Sequence, residues 1–315
     1  MTELALTQID QVQKIIELVT DGLTSDHSRR AYGKALDEFM KWYQSVGSPG
    51  LTKAIVQKYK KYLQDLKLSA STINQRMSAV RKLAKEAADN NLIDEQIANG
   101  ISRVEGVKSK GTRSGNWLTK DQAQQLLNSP DTRTLKGLRD RAILAMFLFS
   151  GVRRSELAIL TVEHIQQREG RWVIVDMVGK GGRIRTVPVN PKSKVVLDAW
   201  TEAAGITEGR IFRAINKSDN LAGEREVRKG VFSDGHMTDQ GIANVVTHYC
   251  DKCGFQNVAA HDLRRTYAKL SRKAGARIEQ IQITLGHASP ETTNRYLGTT
   301  LDLAEAPSDL IDLEI

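Results

Sequence analysis

The chain has 315 residues, 40% of them hydrophobic and 26% charged, a composition typical of a globular protein rather than a disordered or fibrous one. Its longest apolar run, Ala142 to Phe149, is too short to span a bilayer, the N-terminus carries no secretory signal, and two cysteines exclude a disulfide framework, so we expect a cytoplasmic protein without membrane partners. The formal net charge of +9 favours a polyanionic partner, above all nucleic acid, because each neutralised phosphate releases bound counterions.

The first hundred residues predict a compact helical domain, which we assign to residues 1–102. Apolar residues recur at helical spacing in three segments: Ile9, Val12, Ile15, Ile16 and Val19; Tyr32, Leu36, Phe39, Met40 and Tyr43; Val56, Tyr59, Tyr62, Leu63 and Leu66. Thr52 is the expected cap of the third helix and Ser71 that of a fourth. Three basic residues of the fourth helix, Arg76, Arg81 and Lys82, are candidates for DNA contact, although a solvated helix face explains them equally well.

Residues 103–116 predict an interdomain linker. No acidic residue occurs between Glu105 and Asp121, and glycines at three positions make the stretch flexible. Lys108, Lys110 and Arg113 are therefore further candidates for contact with a phosphate backbone, with simple solubility as the alternative explanation.

Residues 117–315 predict a second domain of helices with a small antiparallel sheet. Thr119 and Gln122 have the spacing of a capping box, and a mostly apolar helix from about Leu138 ends at Gly151. The periodicity then changes, and residues 172–178 and 183–189 predict two strands joined by Gly-Lys-Gly-Gly. Further helices are expected near Ser193, Thr238, Asp262 and Ser289, whereas the polar stretch 216–235 predicts no regular element. The fold class is thus a mainly α protein with two domains.

Four short segments of the second domain carry polar residues that suit chemistry on a phosphate. In chain order, the residues are Arg153 and Glu156 after the apolar helix, Lys180 at the hairpin tip, His261 and Arg264 at a helix start, His287, and Tyr296 on the last helix. Each residue alone is a weak signal, because arginines after glycines and His-x-x-Arg pairs are common. Their joint occurrence in this order is specific.

Together these segments resemble the tyrosine recombinases, the family of phage integrases and of Xer-type and Cre-type recombinases. The family pattern is Gly-Leu-Arg-x-Ser-Glu-Leu, a hairpin lysine, His-x-x-Arg, Leu-Gly-His, and a tyrosine nine residues after that last histidine. Every element is present here, with Val152 in place of the usual leucine. The resemblance covers residues 117–297 and, more loosely, the N-terminal helices, which look like the family's core-binding domain. The short chain before them favours a simple Xer-like or Cre-like system.

The resemblance implies cleavage of DNA through a 3′-phosphotyrosine. Arg153 and Arg264 suit a phosphate clamp, because arginine offers two parallel donors to phosphate oxygens. Tyr296 is the expected nucleophile. His261 is its expected proton acceptor, since the charge of histidine changes near neutral pH.

By resemblance, Lys180 protonates the leaving 5′ oxygen, His287 donates a hydrogen bond to a phosphate oxygen, and Glu156 orients Arg153 or a neighbour. The same resemblance implies that two protomers bind inverted repeats in double-stranded DNA, that two dimers form a homotetramer, and that strands exchange through a Holliday junction. The apolar and acidic tail 301–315 is expected to dock on a neighbouring protomer, with folding back onto its own domain as the alternative. No metal ion, nucleotide or other cofactor is expected, because the required cations are side chains.

Two other functions remain open at this stage: a type IB topoisomerase-like enzyme that relaxes DNA as a monomer, and a sequence-specific DNA-binding protein with a silent active site. Cys250 and Cys253 form a C-x-x-C pair, but no second pair follows at zinc-finger spacing, so we interpret them as ordinary helix residues. The other six tyrosines are expected to pack in the cores: Tyr32, Tyr43, Tyr59, Tyr62, Tyr249 and Tyr267.

Overall fold

The computed structural model describes residues 9–108, 116–179, 182–223, 225–228, 231–233, 235–287 and 289–297. The chain forms two compact units, residues 1–113 and 114–315. Over the described residues, no helix is long and apolar enough to span a membrane.

The first unit is helical, as the sequence predicts. Its described helices are α1 (Ile9–Asp21), α2 (Asp26–Ser45), α3 (Lys53–Asp65), α4 (Ala70–Asp89) and α5 (Glu95–Ser102). Most of the predicted apolar positions whose side chains are described lie in its core, where Val19, Leu36 and Phe39 are fully buried. The predicted cap of α3 is confirmed, because Thr52 Oγ1 accepts from the backbone N–H of Ile55 at 3.4 Å. The short helix α5 was not predicted.

Two predictions for the first unit are wrong. The cap of α4 is Ser69, not Ser71: the Ser69 hydroxyl accepts from the backbone N–H of Thr72 at 3.1 Å, and Ser71 already lies inside the helix. Tyr62 and Leu66, both predicted on the apolar face of α3, are 40% and 50% exposed rather than buried. Tyr59 and Leu63, one turn apart, occupy the buried face of α3, which leaves Tyr62 at its edge.

The start of the predicted linker is attached to the first unit. Val104 is buried, and Asn74 exchanges two hydrogen bonds with the backbone of Val107, at 2.7 and 3.0 Å. Lys60 also donates to the carbonyl of Glu105 at 3.1 Å. Residues 109–115 of the predicted linker lie outside the described residues.

The second unit surrounds one buried helix with further helices and a small sheet. Its described helices are α6 (Lys120–Asn128), α7 (Leu135–Ser150), α8 (Arg154–Ala158), α9 (Pro191–Ala203), α10 (Asp239–Lys252), α11 (Ala260–Lys273), α12 (Ile278–Leu285) and α13 (Pro290–Leu297). The predicted capping box at Thr119 and Gln122 is confirmed. Helix α7 is buried on nearly all sides and ends at Gly151, as predicted.

The sheet of the second unit consists of β1 (Ile165–Arg168), β2 (Arg171–Val178) and β3 (Ile184–Pro188), all antiparallel, in the order β1-β2-β3. The predicted hairpin is β2–β3, whose last pair before the tip is Val178 and Ile184. Strand β1 was not predicted. A second hairpin, β4 (Arg225–Arg228) and β5 (Val231–Ser233), lies in the stretch for which no regular element was expected. These strands of three or four residues are too short for a periodic signal.

Gly151 closes α7 in a conformation that other residues adopt poorly. Its φ is +57°, and a Cβ atom there would lie 2.4 Å from Cδ1 of Tyr267. Tyr267 is half-buried against the apolar cluster that includes Leu285, the last residue of α12, so the ends of α7 and α12 meet at this glycine.

A buried ion pair lies inside the second unit, on α7. Arg139 donates to Oδ1 of Asp140 at 2.9 and 2.7 Å, and the two residues are only 6% and 1% exposed. Tyr249 of α10 donates to the other oxygen of Asp140 at 3.2 Å, and burial raises the pKa of its phenol. The pair therefore joins α7 to α10 through a fully desolvated carboxylate.

We predict that Asp140→Ala lowers the free energy of unfolding by about 3 kcal/mol, because it leaves the Arg139 guanidinium buried without a counter-charge. Replacing both partners (Arg139→Met with Asp140→Leu) should restore most of that loss, since no buried charge remains. Urea unfolding of the full chain, followed by circular dichroism, measures both. Equal destabilisation of the single and double variants would contradict the prediction.

Candidate active site

Two helix ends meet at the guanidinium of Arg264. Gly151 follows α7 and Gly286 follows α12, both in the left-handed conformation. Arg264, from the first turns of α11, is 1% exposed and donates to the carbonyls of Gly151 and Leu285. A cation at this place complements the negative ends of both helices, so Arg264 is fixed by the backbone itself.

Arg153 binds a carbonyl at the same helix end. It precedes α8, and its Nη2 donates to the carbonyl of Gly286 at 3.3 Å. Arg153 and Arg264 thus bind consecutive carbonyls, those of Gly286 and Leu285. The structure therefore brings together two of the predicted arginines that are 111 positions apart in the chain.

The carboxylate of Glu156 holds Arg153 in place. It is 2% exposed and accepts from the backbone N–H of Arg153 at 2.7 Å and from its Nη1 at 2.6 Å. Burial alone would raise the pKa of Glu156, but hydrogen bonds from Arg185 and Arg153 and their charges hold the pKa at about 2. Glu156 is therefore ionised at neutral pH, deep inside the protein.

Arg185 is a part of the site that the sequence analysis missed. Its Nη1 and Nη2 donate to the two oxygens of Glu156, each at 2.9 Å, and its Nε donates to the carbonyl of Thr284 at 2.9 Å. A signal for it exists in the sequence. Arg185 and Val187 lie on the same face of β3, and Val187 is fully buried, so an arginine on that face requires a buried carboxylate.

His287 is held by a second residue that was missed, Thr293 of α13. The Thr293 hydroxyl lies 2.9 Å from Nδ1 of His287 and is fully buried. Burial, followed by the charges of Arg264 and Arg153, lowers the pKa of His287 to about 4. The ring is therefore neutral at pH 7, and Thr293 decides which nitrogen is presented to a ligand.

His261 lies on α11 one turn before Arg264. Desolvation, followed by the charges of Arg265 and Arg264, lowers the pKa of His261, although the residue as a whole is exposed. An exposed imidazole that is neutral at pH 7 is able to accept a proton.

The remaining predicted site residues fall partly outside the described residues. Tyr296 belongs to α13, but its side chain lies outside them, as do Lys180 and the tail 301–315. The base of the Lys180 hairpin is described at Gly179, where a Cβ atom would lie 3.1 Å from Nη1 of Arg185 and 3.3 Å from Nη1 of Arg153. The hairpin therefore leaves the sheet directly beside the arginines.

The candidate DNA-contact residues of the first unit have intramolecular partners. Arg76 pairs with Glu38 at 2.5 Å, Arg81 donates to the carbonyl of Val104 at 2.5 Å, and Lys82 donates to that of Gly22 at 3.3 Å. Lys108 is exposed, and Lys110 and Arg113 lie outside the described residues. Contact of these side chains with DNA remains a prediction.

The cysteine pair lies at the end of α10. Burial raises the pKa of the Cys250 thiol to about 12, which disfavours the thiolate that a metal ion requires. In the part of the chain that the structure describes, no group of three or more His, Cys, Asp or Glu side chains is arranged to hold a metal ion.

The arrangement suits an anion whose charge is spread over several oxygens. Arg153 and Arg264 supply permanent positive charge, His287 supplies a neutral hydrogen-bond donor, and His261 supplies a proton acceptor.

Comparisons with known proteins cover both units. The model described as "Phage integrase family" matches residues 116–301, and that described as "Phage integrase, N-terminal SAM-like domain" matches residues 16–91. The tyrosine recombinase XerC of Pseudomonas putida (strain W619) is 27% identical over 278 residues, which are 86% of this chain and 85% of that protein.

Two solved structures share the fold at low sequence identity. A lambda integrase(75–356) dimer bound to a COC′ core site has a TM-score of 0.69 and 15% identity, with 94% of this chain and 98% of that chain covered. The XerH site-specific recombinase bound to palindromic difH substrate, a post-cleavage complex, has a TM-score of 0.65 and 18% identity, with 94% and 82% covered.

We predict that Glu156→Gln destabilises the protein in a pH-dependent manner. The pKa of Glu156 is depressed from an ordinary value of 4.5 to about 2, so its stabilisation is fully present above pH 4.5 and is lost as the pH falls through about 2. The depression corresponds to about 3 kcal/mol. Urea unfolding between pH 2 and pH 8 should show a difference from the unsubstituted chain that shrinks in acid. Glu202→Gln, at an exposed position on α9, is the control; a difference independent of pH would refute the assignment.

Proposed function

Because the chain belongs to the phage integrase family of tyrosine recombinases, we propose that it is a site-specific recombinase that cleaves and rejoins DNA through a 3′-phosphotyrosine intermediate. The observation that carries this proposal is the convergence of Arg153 and Arg264 on the carbonyls of Gly286 and Leu285, next to a neutral His287. A scissile phosphate bound there meets the guanidinium of Arg153 and the imidazole of His287, and it lies close to the buried charge of Arg264.

Phosphate binding is the part of the reaction that the described residues perform. The two arginines offset the charge that grows on the non-bridging oxygens during attack, and their backbone anchors hold them in place beforehand. His287 donates through Nε2 when the Thr293 hydroxyl donates to Nδ1. Its neutral state leaves the positive charge of the site to the arginines.

The covalent step is assigned to Tyr296, His261 and Lys180. Of these, the side chains of Tyr296 and Lys180 lie outside the described residues. The phenol oxygen of Tyr296 attacks phosphorus and its proton passes to His261, while the bond from phosphorus to the 5′ oxygen breaks. Lys180 gives a proton to that oxygen. One phosphodiester is exchanged for another, so rejoining is the reverse reaction and requires no nucleotide. The cations are side chains, so the proposed reaction also proceeds without a metal ion.

We propose that two protomers bind inverted repeats of one site and that two dimers assemble into a tetramer, with strands exchanged through a Holliday junction. The structural neighbours described above include a recombinase dimer on a core site, which supports the dimeric step. The tail 301–315 would dock on a neighbouring protomer. Lys108, Lys110 and Arg113 would follow the phosphate backbone. We place the protein in the cytoplasm, associated with the nucleoid, and infer that a bacterial, phage or plasmid genome encodes it.

The two alternative functions are not favoured. A topoisomerase-like enzyme is disfavoured because the relative reported above is a tyrosine recombinase and because the SAM-like domain is matched in addition to the catalytic one. A silent DNA-binding protein is disfavoured because every residue type of the family's catalytic pattern is present in this chain.

We predict that Tyr296→Phe abolishes the covalent protein–DNA adduct and leaves DNA binding nearly unchanged, because only the nucleophilic oxygen is removed. A denaturing gel on a nicked substrate measures the adduct, and a gel shift measures binding. Tyr267→Phe is the matched control, since its ring packs behind Gly151 and only a hydroxyl is lost. Adduct formation by the Tyr296→Phe variant would refute the assignment of the nucleophile.

We also predict that the unsubstituted chain forms the adduct in EDTA and without nucleotide, because side chains supply the positive charge of the site. The same denaturing gel measures this adduct, and a strict requirement for a metal ion would refute the mechanism.

We predict that Lys180→Ala slows cleavage of ordinary DNA severely, since the 5′ alkoxide is a poor leaving group without a proton. A substrate with a 5′-bridging phosphorothiolate has a better leaving group and requires no acid. The defect of the variant should therefore shrink greatly on that substrate. Equal defects on both substrates would assign Lys180 to phosphate binding instead.

A further inference from the structure

Two guanidinium groups share the buried carboxylate of Glu156, but their exposure differs. Arg185 binds both carboxylate oxygens, whereas Arg153 binds Oε1 through one side-chain nitrogen. The side chain of Arg185 is 8% exposed and that of Arg153 is 25% exposed. A ligand that arrives from solvent therefore meets Arg153, while Arg185 faces the carboxylate behind it.

We propose that Arg185 is a positioning residue for DNA cleavage, which neutralises Glu156 so that the charge of Arg153 acts on the scissile phosphate. The inference rests on the proposed function. The three groups together carry one net positive charge. Without Arg185, Arg153 and Glu156 would form a neutral pair, and the phosphate would lose a unit charge in a site of low dielectric, where charges act strongly.

The geometry of Arg185 also ties together the segments around the phosphate. Its Nε binds the carbonyl of Thr284, one turn before His287, and its Cδ lies 2.9 Å from the place where a Cβ of Gly286 would stand. Its Nη1 lies close to Gly179 at the base of the hairpin. A lysine at position 185 keeps the charge but lacks the planar fork that binds both oxygens and a carbonyl at once.

The experiment compares cleavage rates on two substrates under single-turnover conditions. One nicked DNA carries an ordinary scissile phosphate, and the other carries a methylphosphonate, in which a neutral methyl group replaces one non-bridging oxygen. The variants are Arg185→Met, Arg185→Lys, and Arg185→Met combined with Glu156→Gln. Arg171→Met is the matched control, an exposed arginine of the same sheet. Gel shifts and thermal unfolding of every variant show whether it is folded and binds DNA.

Arg185→Met should cleave ordinary DNA about 100-fold more slowly, the scale of losing one electrostatic contact to the transition state. Its defect should fall below about tenfold on the methylphosphonate, whose transition state carries less negative charge to stabilise. Addition of Glu156→Gln should restore part of the lost rate, because it frees Arg153 from a neutral pair. Arg185→Lys should lie between Arg185→Met and the unsubstituted chain.

Two results would overturn the inference: an Arg185→Met defect of equal size on both substrates, or a double variant slower than Arg185→Met. Should Arg185→Met fail to fold, the same comparison between substrates with Arg185→Gln decides, because glutamine is also uncharged but keeps a hydrogen-bond donor for Glu156. A different result would overturn the proposed function itself, namely the absence of any Tyr296-dependent adduct with the unsubstituted chain. The two failures are therefore distinguishable.

Discussion

The buried carboxylate of Glu156 is the interaction on which the candidate active site depends. A carboxylate that is 2% exposed persists in its charged form only when it is fully hydrogen-bonded and paired. Glu156 meets this requirement with a backbone N–H and two guanidinium groups. It thereby fixes the start of α8 and the core-facing side of β3 against each other. The phosphate-binding arginine Arg153 takes its position from this arrangement.

The arginines of the site also complete the fold. The last carbonyl groups of a helix have no hydrogen-bond donor within the helix. At the ends of α7 and α12, guanidinium groups donate to these carbonyls. Arg264 donates to the carbonyls of Gly151 and Leu285. Arg185 donates to the carbonyl of Thr284, and Arg153 donates to that of Gly286. Stability and phosphate binding therefore rest on the same hydrogen bonds. A substitution at these positions alters both, which is why tests of function here need substrates that separate charge from structure.

The sequence predicts the elements whose signals are local. The end of α7 at Gly151, the capping box of α6 and the β2–β3 hairpin each depend on residues a few positions apart. The wrong cap of α4 shows the limit of such signals, since two serines two positions apart are equally plausible until the backbone is known.

Arg185 and Thr293 were missed for a different reason, which concerns distance along the chain. Arg185 contacts Glu156 from 29 positions away and Thr284 from 99 positions away in the chain. Sequence spacing predicts contacts only between residues a few positions apart, so it gives no sign of these. The catalytic motifs identify groups that react, whereas the residues that orient them are recognised only when the chain is folded. A core-facing arginine on a strand is the one local sign that was available.

The charge states of the site follow from packing rather than from residue type. Histidine and arginine are both cations in many phosphate sites, yet here burial and the arginine charges lower the pKa of both His261 and His287. The two histidines are therefore neutral at pH 7, where they accept a proton or donate a hydrogen bond without adding charge. The positive potential comes from guanidinium groups, which do not titrate in this range. The charge that attracts the anion and the group that accepts the proton thus belong to different residue types, so proton transfer can respond to pH while the positive charge stays constant.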